Sequence, residues 1–118
     1  MSAIPAVLAV LLALVFVGLG SAKILAVQPM RERAAEVGFS TTAYRRIGVL
    51  EVAGAIGLLV GSIEPLIGAL AGIGLLLLLG GAVVAHLRNG DGPRKFAPAV
   101  VCGLLVAAYL VALFAATS

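Results

Sequence analysis

The chain has no tryptophan, one histidine, one cysteine and few charges: only 11% of its 118 residues are Asp, Glu, Lys or Arg. With Cys102 alone, neither an intramolecular disulfide nor Cys-x-x-Cys dithiol chemistry can form within one chain. A single cysteine and a single histidine, His86, are too few soft ligands for a zinc or iron–sulfur site built by one chain. No metal site and no intrinsic cofactor are therefore expected. A glycine fingerprint for dinucleotides is also missing, because the glycines fall inside apolar runs. The shortage of charge excludes most, since soluble domains carry about 25% charged residues. Here 63% of residues are hydrophobic and the mean hydropathy is +1.24. So short a chain cannot hide that much apolar surface in its own core. Lipid must be its solvent, and the expectation is one all-α integral membrane domain over 1–118.

No basic residue precedes Lys23, so the basic start of a signal peptide is lacking. The first apolar run is read instead as a retained span. Four stretches reach the roughly 20 apolar residues needed to cross a bilayer: 3–27, 44–63, 65–87 and 96–116. Within lipid each span must satisfy its own backbone, which selects helix, and alternating barrel strands are not seen. Short connections favour antiparallel neighbours, hence a four-helix up-down bundle. The connections differ in length. The sequence SIEP at 62–65 is a tight turn, and RNGDGPRK at 88–95 carries Asn-Gly and Gly-Pro turn signals. In the longer connection, Pro29 suits a helix start and Gly38 a helix stop. Met30, Ala34 and Val37 recur at i, i+4 and i+7, with Arg31, Glu32, Arg33 and Glu36 elsewhere. That pattern predicts a short interfacial amphipathic helix between helices one and two.

The net charge of +3 and the pI near 9.6 raise nucleic acid as a partner. The placement of charge argues against it. Arg31 and Arg33 belong to the first connection, with Arg45 and Arg46 just past its end, and Arg88, Arg94 and Lys95 belong to the third. By the positive-inside rule, connections 28–43 and 88–95 face the cytoplasm and both termini lie outside. Small residues suit helix contacts in lipid. Gly57 with Gly61 and Gly68 with Gly72 form G-x-x-x-G pairs, joined by Gly54, by Gly18 and Ala22, and by Gly103, Ala107, Ala108, Ala112 and Ala116. Packing within the chain is the preferred reading and a homodimer the lesser one.

The ionisable groups cluster at one depth. Lys23 lies near the cytoplasmic end of the first helix, Glu51 a turn or two inside the second, His86 at the end of the third and Cys102 inside the fourth. Arg45 and Arg46 mark the rim. Charge in hydrocarbon is expensive unless it pairs, faces the interior or reaches the interface. Glu51 is too short to reach water and shares a helix side with Gly54 and Gly61, which turns it toward the bundle. Its candidate partners are Lys23, Arg45, Arg46 and His86. The candidate site is therefore a cytoplasm-facing polar pocket of Lys23, Glu51, His86, Arg45 and Arg46, suited to the headgroup of a lipid-soluble ligand or to proton relay. The plainer alternative makes Lys23 an interfacial anchor with its stem in lipid, Glu51 a counter-ion, His86 a helix-end cation and Cys102 a packing residue.

The stretches GLGSAKIL at 18–25, PMRERAAEVGFS at 29–40, RRIGVLEVAGAIGLLVG at 45–61 and AVVAHLRNGD at 82–91 together resemble the DoxX-like family of small bacterial membrane proteins. The resemblance covers nearly the whole chain. It implies a four-helix membrane bundle in the bacterial plasma membrane. It also implies a link to a thiosulfate:quinone oxidoreductase subunit or to membrane thiol-stress systems, with a quinone as ligand and a membrane redox protein as partner. Lys23, Glu51 and His86 are the positions to which such a role would attach. Catalysis by this chain does not follow from it. The alternatives are a non-catalytic scaffold or assembly subunit, docking through the basic connections, and a small transporter. The transporter reading lacks the acid in the middle of helix one and the tryptophan that small multidrug exporters use.

Overall fold

A computed structural model describes residues 3–117. They form five helices and no strand: α1 (Ala3–Ile24), α2 (Gln28–Glu36), α3 (Thr41–Val60), α4 (Pro65–Arg88) and α5 (Pro93–Thr117). Among the described residues, α1, α4 and α5 are long and apolar enough to cross a membrane. The chain is a helical membrane protein in contact with the bilayer. The remaining long helix, α3, differs because Arg45, Arg46 and Glu51 all fall within its twenty residues. Met1, Ser2 and Ser118 lie outside the described residues, so the expectation about the two termini concerns ends that are not described.

Helix boundaries follow local chemistry. Ser40 caps α3, its Oγ accepting from the Ala43 amide at 3.0 Å, which starts the helix earlier than its apolar run suggests. Pro65 and Pro93 stand at helix starts, where a missing N–H is harmless. Three ends close in the same way. Amides at Val27, Phe39 and Asp91 reach back to the carbonyls of Ala22, Ala34 and His86. This wrap needs a left-handed residue just past the helix. Gly38 (φ 77) and Gly90 (φ 74) supply it, and Ala26 (φ 52) does so without glycine's freedom. α1 therefore stops at Ile24, short of the apolar run to 27.

α1 packs on α3, α3 on α4, α4 on α5 and α5 back on α1, while α2 lies against α3 and α1. Phe16, Leu12, Leu58, Leu75, Val106 and Tyr109 are fully buried at the centre. Glycines set the approach distances. At the α1–α3 crossing, a Cβ on Gly20 would lie 2.7 Å from the Gly48 carbonyl oxygen, and one on Gly48 would lie 2.6 Å from that of Gly20. A Cβ on Gly57 would meet the Ala71 Cβ at 2.6 Å, and one on Gly61 would meet the Gly68 Cα at 2.8 Å. The Tyr109 hydroxyl closes against both Gly61 and Gly68 and donates to the Leu58 carbonyl at 3.3 Å. By contrast, Gly18 and Gly103 face open space. The two that matter for α1 are thus Gly20 and Gly48, neither of which stands in a G-x-x-x-G pair with the glycines singled out from sequence.

The amphipathic segment is helical, and Met30 and Ala34 are buried against the protein's own helices. Val37, the third residue of the apolar pattern, is past the helix end and half-buried. α2 thereby covers one end of the space enclosed by the long helices.

Candidate ligand-binding site

The close α1–α3 crossing at Gly20 and Gly48 brings Lys23 alongside Glu51. Lys23 Nζ donates to Glu51 Oε1 at 2.6 Å, with side chains only 12% and 7% exposed. Charges taken out of water require such pairing, because one alone would carry a desolvation penalty of several kcal/mol. A second contact holds the ammonium: Nζ lies 5.1 Å from the centre of the Tyr44 ring, within cation–π range. Tyr44 meets Phe39 edge-on, with centroids 6.3 Å apart. The Tyr44 hydroxyl has no hydrogen-bond partner among the described residues and stays available.

His86 takes a different partner from those foreseen. Its Nδ1 is 2.7 Å from Asp91 Oδ2. The His86 hydrogen bond first, then the Asn89 amide and the Lys95 charge, hold the Asp91 carboxyl below the usual carboxylate range. An ionised Asp91 fixes the Nδ1 proton on the ring and leaves Nε2 as the nitrogen open to another partner.

Two cavities meet at these residues. A polar chamber of about 610 Å³ is lined by Lys23, Glu51, His86 and Cys102. Its mouth is formed by Glu32, Arg33 and Glu36 of α2 with Arg94 and Lys95 of α5. The Lys95–Glu36 ion pair, 2.9 Å long and half-exposed on both sides, links α2 to α5 across that mouth. Pro98 lies on the chamber wall and has no N–H to offer the Arg94 carbonyl. The second cavity, about 800 Å³, is an apolar groove between α3 and α4, lined by Leu50, Ala53, Gly57, Leu70, Gly74 and Leu77 among others. Leu70 and Leu77 are 62% and 74% exposed, so the groove opens sideways onto the lipid-facing surface. Both cavities include Lys23, Tyr44 and His86 in their walls.

Of the residues selected from sequence, Lys23, Glu51 and His86 line one chamber. Arg45 and Arg46 are exposed and line neither cavity. The sequence reading passed over Tyr44, although its spacing of seven from Glu51 places both on one side of α3. Arg33, Arg94 and Lys95 were read only as membrane-flanking charge, and no local motif marks them as chamber residues.

The model of the DoxX-like family matches residues 7–109, from early in α1 to late in α5. The chain belongs to that family. No curated protein and no solved structure matches it.

Proposed function

We propose, with membership of the DoxX-like family as the premise, that this chain binds a lipid-soluble quinone as a subunit of a membrane redox system in the bacterial plasma membrane. In this reading α3 is a fourth span and the long helices form an up-down bundle. Twenty helical residues reach about 30 Å. Arg45 and Arg46 stand at one end of α3, where their stems reach the interface, and Glu51 is neutralised by Lys23. The neighbours Gly61–Gly68 and Gly57–Ala71 are those of antiparallel helices. The basic connections put α2 and the chamber mouth on the cytoplasmic side.

The observation that carries the proposal is the junction of the two cavities. A quinone is a flat ring with two carbonyl acceptors on an apolar tail. The α3–α4 groove offers the tail an apolar route from lipid. At the groove's inner end, the Lys23 ammonium and the Tyr44 hydroxyl offer donors to the ring oxygens, and His86 Nε2, the acceptor nitrogen while Nδ1 carries the proton toward Asp91, can accept from a hydroxyl of the reduced ring. Reduction takes two electrons and two protons per quinone. The electrons come from a partner protein, and the chamber supplies the protons from the aqueous side. Exposed Arg45 and Arg46 favour a docking role alongside ligand binding. A transporter has least support: buried Phe16, Leu12, Leu58 and Val106 fill the centre beyond the chamber.

Titration of a short-chain quinone into the purified protein tests this reading. Wild-type protein should saturate, and Lys23→Ala and Glu51→Ala should weaken binding at least tenfold. Gly74→Leu provides a control on folding, because a Cβ there meets nothing within 4 Å and the side chain extends into the groove. It should fold normally and lose the quinone. Unchanged affinity in all three variants would overturn the proposal.

A further inference from the structure

At the basic end the ion pairs run to lysine and histidine: Glu36, Glu51 and Asp91 are matched in this way, Glu32 is in no ion pair among the described residues, and arginine is left over. Lys23 pairs with Glu51, Lys95 with Glu36 and Asp91, and His86 with Asp91. Among the described residues none of the six arginines is in an ion pair. Arg31 donates to the Ala26 carbonyl and Arg33 to the Met30 sulfur. Arg45, Arg46, Arg88 and Arg94 have no carboxylate partner. A guanidinium is a planar fork of donors that matches phosphate oxygens two at a time.

Arg88 is distinguished from the others by what adjoins it. It closes one end of a groove of about 310 Å³ whose walls include Val37, Phe39, Gly81, Val84 and Ala85. Gly81 faces open space, and Val84 is 48% exposed, so the floor is accessible from the lipid side. Asp91, the carboxylate nearest Arg88 in the chain, is occupied by His86, Asn89 and Lys95 and leaves the Arg88 charge unopposed. The result is an apolar trough ending in an unpaired cation, at the end of a membrane helix.

We propose that an anionic phospholipid binds here, with its phosphate on the Arg88 guanidinium and an acyl chain along Val37, Phe39, Gly81 and Val84. The site does not depend on the quinone reading, because its phosphate anchor, Arg88, lines neither the α3–α4 groove nor the polar chamber. The two grooves share Val37, Phe39, Gly81 and Ala85, so the bound lipid borders the route by which an amphipathic ligand reaches Lys23.

Native mass spectrometry tests the site, with delipidated protein titrated with dioleoyl phosphatidylglycerol, dioleoyl phosphatidylcholine or inorganic phosphate. Phosphatidylglycerol should bind roughly fivefold or more tightly than phosphatidylcholine, as expected for one basic side chain at a membrane surface. Arg88→Gln should bring phosphatidylglycerol down to the phosphatidylcholine level. Gly81→Leu, which fills the trough, should abolish the preference independently. Joint replacement of Arg45 and Arg46 by Gln should leave it in place. Equal binding of the two lipids, an unchanged preference in Arg88→Gln, or displacement of phosphatidylglycerol by millimolar phosphate would each overturn the proposal.

Discussion

Lys23→Met should destabilise the protein by about 3–5 kcal/mol, the range for removing one partner of a buried ion pair. The methionine fills much the same volume, so the loss comes from the stranded Glu51 carboxylate and not from a void. Glu51 is 5% exposed and too short to reach water by bending. Replacing both members, Lys23→Met with Glu51→Leu, should recover most of the stability, since a buried pair exchanged for well-packed apolar groups is often neutral. Thermal unfolding in one detergent across the three proteins measures this. A double variant as unstable as the single one would show that Lys23 stabilises the fold by some other contact. The recovered double variant would also separate fold from function, because it keeps the bundle and removes the ammonium from the junction of the two cavities.

Gly48→Leu should be comparably severe, about 3 kcal/mol or more, at the upper end for overpacking. A Cβ on Gly48 would lie 2.6 Å from the Gly20 carbonyl oxygen and 2.9 Å from the Lys23 Cβ. The Gly20 oxygen is backbone and cannot rotate away, so α1 and α3 must separate. That separation would also pull Lys23 off Glu51. Gly103→Leu and Gly80→Leu are the matched controls, with nothing within 4 Å of a Cβ at either position. They should stay within about 0.5 kcal/mol of wild type. Thermal unfolding and the monodisperse fraction after purification report the contrast. Equal tolerance at Gly48 and Gly103 would mean that the crossing is not close.

Composition revealed the membrane setting because hydrocarbon tolerates few charges and demands long apolar helices. It revealed helix faces poorly, and the reason is visible within α1. Leu12 is 1% exposed, while Leu11 and Leu14 are 56% and 69% exposed. Lipid is as apolar as a core, so hydropathy does not separate the two sides. Close approach does separate them, but Gly20, which packs, and Gly18, which does not, look alike in the sequence. The helix through Glu51 was legible from its apolar run, yet its charges set α3 apart from the other long helices. That Glu51 needs a basic partner could be foreseen because lone charges in lipid are costly, but Lys23 was one of four candidates with Arg45, Arg46 and His86. The partner of His86 could not, since Asp91 reaches it only through the left-handed turn at Gly90. Arg45 and Arg46 were grouped with the site by depth alone, and depth does not say which way a side chain points around its helix.

Photolabelling with an azido-quinone, followed by peptide mapping, asks most directly whether the α3–α4 groove leads a lipid-soluble head to Lys23, Tyr44 and His86. The expected result is label concentrated in residues 44–57 and 67–86, competed by unlabelled quinone and lost in Gly74→Leu. Label spread evenly over the lipid-facing sides of α1 and α5, and indifferent to Gly74→Leu, would contradict it.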